Sequence, residues 1–131
     1  MARTKDEILK LFQQYNDLDA LLVEPKTYEI KEITNFYIKH EKEYKERAHI
    51  YDSIMKEIDD QLDLFIMDLD LRDFGQEFIK KAIEQNENLL EKSKETFIDE
   101  KIIDMNELIN QLNNNLNHLK SIYKDLKWAE A

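Results

Sequence analysis

The sequence predicts an all-α protein: an elongated antiparallel helical hairpin of coiled-coil type, with a short N-terminal helix packed on it. Three observations carry this expectation. The 131 residues hold one Gly, one Pro and no Cys, so the turn residues of sandwiches, barrels and Gly-rich phosphate loops, and the thiols of zinc ribbons and disulfide frameworks, are missing. Hydrophobic residues make up 42% and charged residues 37%, a balance that suits one soluble domain. Apolar residues also recur three and four apart along most of the chain, which is helical periodicity.

The first helix is expected over about 5–22. Thr4-Lys5-Asp6-Glu7 reads as a capping box, in which a hydroxyl and a carboxylate three residues apart satisfy the free N–H groups of a helix start. Ile8, Leu11, Phe12, Tyr15 and Leu18 then form one stripe, and Pro25 ends it, because a proline disfavours α geometry at the residue before it. The second helix is expected over about 28–72. Ile30, Tyr37, Tyr44, Tyr51, Ile58 and Phe65 are spaced by seven, beside a companion row of Thr34, Glu41, Ala48, Met55, Leu62 and Leu69. Such a helix would be about 65 Å long and would seat its seam on a partner helix. The reversal is expected at Phe74 and Gly75, the only Gly, where Asp73 and Gln76 resemble a second capping start. The third helix follows over about 76–127. Its stripe is carried by Phe78, Ala82 and Leu89, then Phe97, Ile98 and Ile102, then Met105, Leu112, Leu119 and Leu126 beside Leu108, Asn115 and Ile122, with a stutter between 90 and 98. Residues 1–131 thus read as a single helical domain.

Two surfaces of this arrangement are candidate interaction sites. Ile33, Phe36, Ile50, Ile54 and Leu64 lie on a flank that a two-stranded hairpin leaves bare, and the first helix, about 27 Å long, covers less than half of it. A second copy of the chain or another protein is expected on the rest. Glu57, Asp59, Asp60, Asp63, Asp68, Asp70 and Asp73 set seven carboxylates against Arg72 alone, and supply −6 of the formal charge of −10. They form an acidic tip able to meet a basic partner, or a solvated outer face.

The charge disfavours direct nucleic-acid binding and binding to anionic membranes. No stretch approaches the roughly 18 apolar residues of a span, and no apolar leader follows Met1. The expected location is therefore the cytoplasm, with leaderless export left open.

No catalytic set emerges, so no enzyme activity, cofactor or metal is expected. Glu46-x-x-His49 has the spacing that aims two ligands at one iron, but those sites need a second such pair and two further carboxylates. Glu29-x-x-Glu32 followed by Glu57-x-x-Asp60 resembles the magnesium-binding pattern of the all-α nucleotide pyrophosphohydrolases of the MazG type. On one continuous helix, however, Glu29 and Glu57 would stand about 42 Å apart; a break near 45–50 would revive that reading. Tyr37, Tyr44 and Tyr51 read as core tyrosines with their hydroxyls at the edge. Asn115 sits where Leu or Ile is expected, and either fixes register in a seam or faces water.

Phe74-Gly75, an aromatic beside the only Gly at an expected reversal, is similar to the turn of the small WXG-type helical hairpins, and of the α-helical partners of LXG-domain toxins, in type VII secretion. In that family the aromatic precedes the Gly by two positions; here the two abut. The resemblance covers about 28–127, and it implies a chaperone-like adaptor that binds a secreted helical protein and presents it for export. A different expectation from size and charge is an acidic inhibitor of phage or mobile-element type, occupying the nucleic-acid groove of a host enzyme. Both belong to one class, the non-catalytic helical protein–protein interaction module.

Overall fold

The structure is a computed structural model. It describes the backbone of residues 3–95 and 102–128 and, within them, every side chain except those of 92–95, 102–106 and 128. Among the described residues all regular structure is helical: α1 (Lys5–Leu21), α2 (Ile30–Lys39), α3 (Glu41–Asp60), α4 (Leu62–Met67), α5 (Leu69–Glu95) and α6 (Ile102–Trp128). None of these helices is long and apolar enough to cross a membrane. The chain divides into two compact units, Met1–Leu62 and Asp63–Ala131, where the sequence reads as one domain.

In the first unit α1 starts on the expected capping box. The Glu7 amide donates to Thr4 Oγ1 at 3.3 Å, and the Thr4 amide donates to Glu7 Oε1 at 3.0 Å. The Thr4 backbone and hydroxyl hold the Glu7 carboxyl below its usual range. Ile8, Phe12 and Tyr15 are buried against α3 together with Ile50, Ile54 and Ile58. The two helices run antiparallel: Arg3 is ion-paired with Glu57 at 2.8 Å near one end, and Asp19 with Arg47 at 2.8 Å near the other. Two members of the expected bare flank, Ile50 and Ile54, are thus covered by α1 of the same chain.

The expected continuous helix over 28–72 does not form. It breaks at His40, whose backbone (φ −108°, ψ 21°) leaves the helical basin, at Gln61 (φ −125°, ψ 37°), and again at Asp68. The breaks differ in their surroundings. α1 spans only about 25 Å and packs along α3, and no residue of α2 is buried. At Gln61 the side-chain amide donates to the Glu57 carboxylate and, at 3.5 Å, to the Arg3 carbonyl, which ties this point to the N-terminal segment. Asp68 is a helix cap: its Oδ1 accepts the Leu71 amide at 3.1 Å, which starts α5. The sevenfold row is accordingly buried only at its far end. Ile58 and Phe65 are fully buried, whereas Ile30 is 79% exposed and Tyr37 40%.

In the second unit α5 packs antiparallel on α6, in place of the expected pairing of 28–72 with 76–127. Phe65 of α4 joins Leu71, Phe78, Ile79 and Ala82 of α5 and Leu112, Leu116, Leu119, Ile122 and Leu126 of α6 in its core. Gln76 Nε2 donates to the Leu126 carbonyl at 3.1 Å, satisfying one of the last carbonyls of α6. Phe74 and Gly75 are not a turn; they lie inside α5. Gly75 has no positive φ, and its value is lateral, since a Cβ there would stand 3.2 Å from Phe65 Cδ2 and 3.5 Å from Leu126 Cδ1. The chain needs its glycine for close approach and not for reversal. Asn115 faces solvent, and Leu116 takes the buried place beside it. The far end of the expected stutter, and the side chains of Phe97, Ile98, Ile102 and Met105, lie outside the described residues.

Candidate interaction surface

The seven acids of the expected tip are divided between α3, α4, the residue that caps α5, and α5 itself. Two of them have structural duties. Glu57 is 6% exposed, held between the Arg3 guanidinium and the Gln61 amide. This pairing is what makes a buried carboxylate tolerable. Asp68 is the α5 cap. Asp59, Asp60, Asp63, Asp70 and Asp73 are exposed. Among the described residues no group of three or more His, Asp or Glu is placed to hold a metal ion. α3 runs unbroken through 45–50, the stretch whose interruption would have favoured the pyrophosphohydrolase reading.

The expected apolar flank also divides. Ile50 and Ile54 are core, Ile33 and Phe36 are half-buried, and Leu64 is exposed on α4. A further bare surface lies on α2 and the segment leading into it. Pro25 and Thr27 shape that entry: the Thr27 amide donates to the Pro25 carbonyl at 3.0 Å, and Thr27 Oγ1 accepts the Glu29 amide at 3.1 Å. Glu29 then starts α2 with its own carbonyl accepting from Ile33 at 3.3 Å. None of the ten residues of α2 is buried.

The inner face of α2 meets the start of α3 through rings. Phe36 lies 4.6 Å from His40 and 6.4 Å, edge-on, from Tyr44, and Tyr37 is 4.8 Å from Tyr44. The Tyr37 hydroxyl donates to the Glu24 carboxylate, and that bond pushes its pKa up to about 12, since ionisation would set a phenolate against a carboxylate. Arg47 sits 5.3 Å over the Tyr44 ring while pairing with Asp19 of α1. Deeper in the α1–α3 contact Tyr15 packs 6.3 Å from Tyr51, and burial, with Asp19 nearby, pushes its hydroxyl up to about 12 as well. The predicted tyrosine row thus separates into a half-exposed pair at the α2 junction and one member, Tyr51, partly buried beside α1.

The outer face carries Ile30, Thr34 and Ile38, at the i, i+4, i+8 spacing of one helical stripe. Ile38 is 67% exposed, and Tyr28 just before the helix is fully exposed; Leu21 and Val23 add further bare apolar surface. Sequence reasoning had placed Ile30 in a buried seam. The polar Thr34 and Glu41 in the companion row were the signal that no other described helix of the chain covers it there.

In the second unit a groove of about 450 Å³ between α5 and α6 is lined by Glu87, Asn88, Leu90, Glu91, Asn113, Leu116, Asn117 and Lys120. Its lining is mostly carboxylate and amide, with no nucleophile–base pair.

Comparison of the chain with protein-family models, with curated proteins and with solved structures finds no match. Class and function therefore rest on the geometry.

Proposed function

We propose that the chain is a non-catalytic helical protein–protein interaction module that binds its partner through the outer face of α2. One observation carries the reading: a ten-residue helix with no buried residue turns Ile30 and Ile38, 79% and 67% exposed, to solvent. Unpartnered apolar stripes of this kind are the usual anchors of helix-in-groove recognition. Within this class, a cytoplasmic adaptor for a secreted helical protein draws support from the antiparallel pairing of α5 with α6, each 27 residues long; the Phe74-Gly75 pair that carried the resemblance to type VII partners lies inside α5 and lends it none. The inhibitor reading draws its support from the exposed Asp59, Asp60, Asp63, Asp70 and Asp73.

The test is a photo-crosslinking residue placed at Ile30 or Ile38 in the native cell, with Gln14 on α1 as the exposed control. A discrete adduct from the two α2 positions and none from Gln14 is expected; no adduct from either α2 position defeats the reading. Salt then separates the two narrower forms. Binding through the carboxylates falls steeply between about 50 and 500 mM salt, whereas binding through the α2 stripe holds.

A further inference from the structure

We propose that α2 is a hinged strap, held on the first unit by a side-chain latch and able to lift away and fray while α1 and α3 stay packed, since a detached helix of ten residues is marginal in water. The proposal deepens the interaction reading, because α2 is the element that reading depends on, but it rests on different observations.

The first is the pair of chain breaks that bound α2. Behind it the Pro25–Glu29 segment is non-helical, and ahead of it His40 leaves the helical basin. Both ends can absorb a rotation without disturbing a neighbouring helix, which is what a hinge requires. The second is burial. With no residue of α2 buried, lifting the helix opens none of the α1–α3 core, where Ile8, Phe12, Ile50, Ile54 and Ile58 lie. Local opening free energy follows buried apolar contact, so α2 belongs at the low end for this unit.

The third is the nature of what holds α2 down. The latch is a relay of polar and ring contacts: Glu24 accepts from Tyr37, Tyr37 packs on Tyr44, Tyr44 lies under Arg47, and Arg47 pairs with Asp19. Glu24 and Asp19 belong to α1 and the loop after it, while Tyr44 and Arg47 belong to α3, so the relay clamps α2 to both. Such a latch is directional. A single lost hydrogen bond loosens it, whereas a hydrophobic seam would yield only gradually.

Hydrogen–deuterium exchange on the full chain tests this. α2 amides, 34–39, are expected to exchange far faster than the amides of Ile50–Ile58, and Tyr37→Phe and Glu24→Ala, each of which removes one partner of the hydrogen bond to the Glu24 carboxylate, are expected to speed α2 roughly tenfold further, with α1 and α3 rates unchanged. Gln13→Ala, which removes the α1 surface bond to Asp17, is the control and leaves α2 as it was. Three results would overturn the proposal: α2 as protected as α3, α2 rates unmoved by both latch variants, or α1 and α3 accelerated together with α2. The two readings fail separately. Loss of the crosslink at Ile30 leaves the exchange contrast standing, and a rigid α2 leaves the crosslink standing.

Discussion

Gly75 offers the sharpest test of the fold, because opposite roles for it predict opposite responses to one methyl group. In a helix interior, Gly→Ala is worth about 1 kcal/mol in favour of Ala, from backbone entropy alone. At Gly75 the new Cβ would lie 3.2 Å from Phe65 Cδ2, 3.5 Å from Leu126 Cδ1 and 3.7 Å from Phe65 Cε2. Phe65 and Leu126 are both fully buried, so neither can retreat without moving a packed neighbour, and overpacking of this kind costs roughly 1–3 kcal/mol. The net expectation for Gly75→Ala is a loss of about 1 kcal/mol in urea unfolding followed by far-UV circular dichroism. In a Phe65→Leu background the ring is gone, and the helical preference should emerge. There Gly75→Ala is expected to stabilise by about 1 kcal/mol relative to Phe65→Leu alone. An equal loss in both backgrounds would refute the reasoning, because it would mean that the backbone, and not the facing ring, demands the glycine.

Asp68→Ala removes the side-chain acceptor of the Leu71 amide and is expected to lose about 1 kcal/mol, most of it recovered by Asp68→Asn, in the same unfolding assay. Ile58 and Ile30 share one sevenfold row, yet Ile58→Asp should unfold the first unit while Ile30→Asp leaves its melting temperature nearly unchanged, since one is fully buried and the other 79% exposed. Tyr15 has its pKa raised from 10.0 to about 12 in the fold, chiefly by burial, so the folded state resists ionisation. Its contribution to stability is fully present below pH 10 and is lost as pH rises through about 12; urea midpoints taken across that range should fall, and less steeply in Tyr15→Phe.

Much of the local structure could be read from the chain. The Thr4–Glu7 box, the break at Pro25 and the Leu112–Leu119–Leu126 stripe need only neighbouring residues, and each stands where expected. The long second helix misled because a row spaced by seven from Ile30 to Phe65 fits both a supercoil seam and several short helices laid end to end. Its breaks carry no Gly or Pro. At Gln61 the side chain reaches toward Arg3, 58 positions away, and no local rule finds that contact. Asp68 was findable: Asp68-Leu69-Asp70 places a cap and a first-turn acid as a helix start does, but it was submerged in a run of carboxylates. The role of Gly75 was out of reach, because it is defined by Phe65 and Leu126, and the residue type alone points equally to a turn. For the interaction surface, the flank was anticipated in kind but misplaced. Ile50 and Ile54 went to the core, and the bare stripe takes Ile30 and Thr34 from the two heptad rows together with Ile38, which belongs to neither.

The division at Leu62 also bears on the order in which the molecule can be made. Every residue that closes the first core, from Ile8 to Ile58, precedes Phe65, the earliest residue of the second. A ribosome therefore releases a complete set of parts for α1 and α3 before any part of the later core has emerged, and Arg3 can find Glu57 as soon as it clears the exit tunnel. Such vectorial assembly spares the nascent chain a long wait with its isoleucines bare.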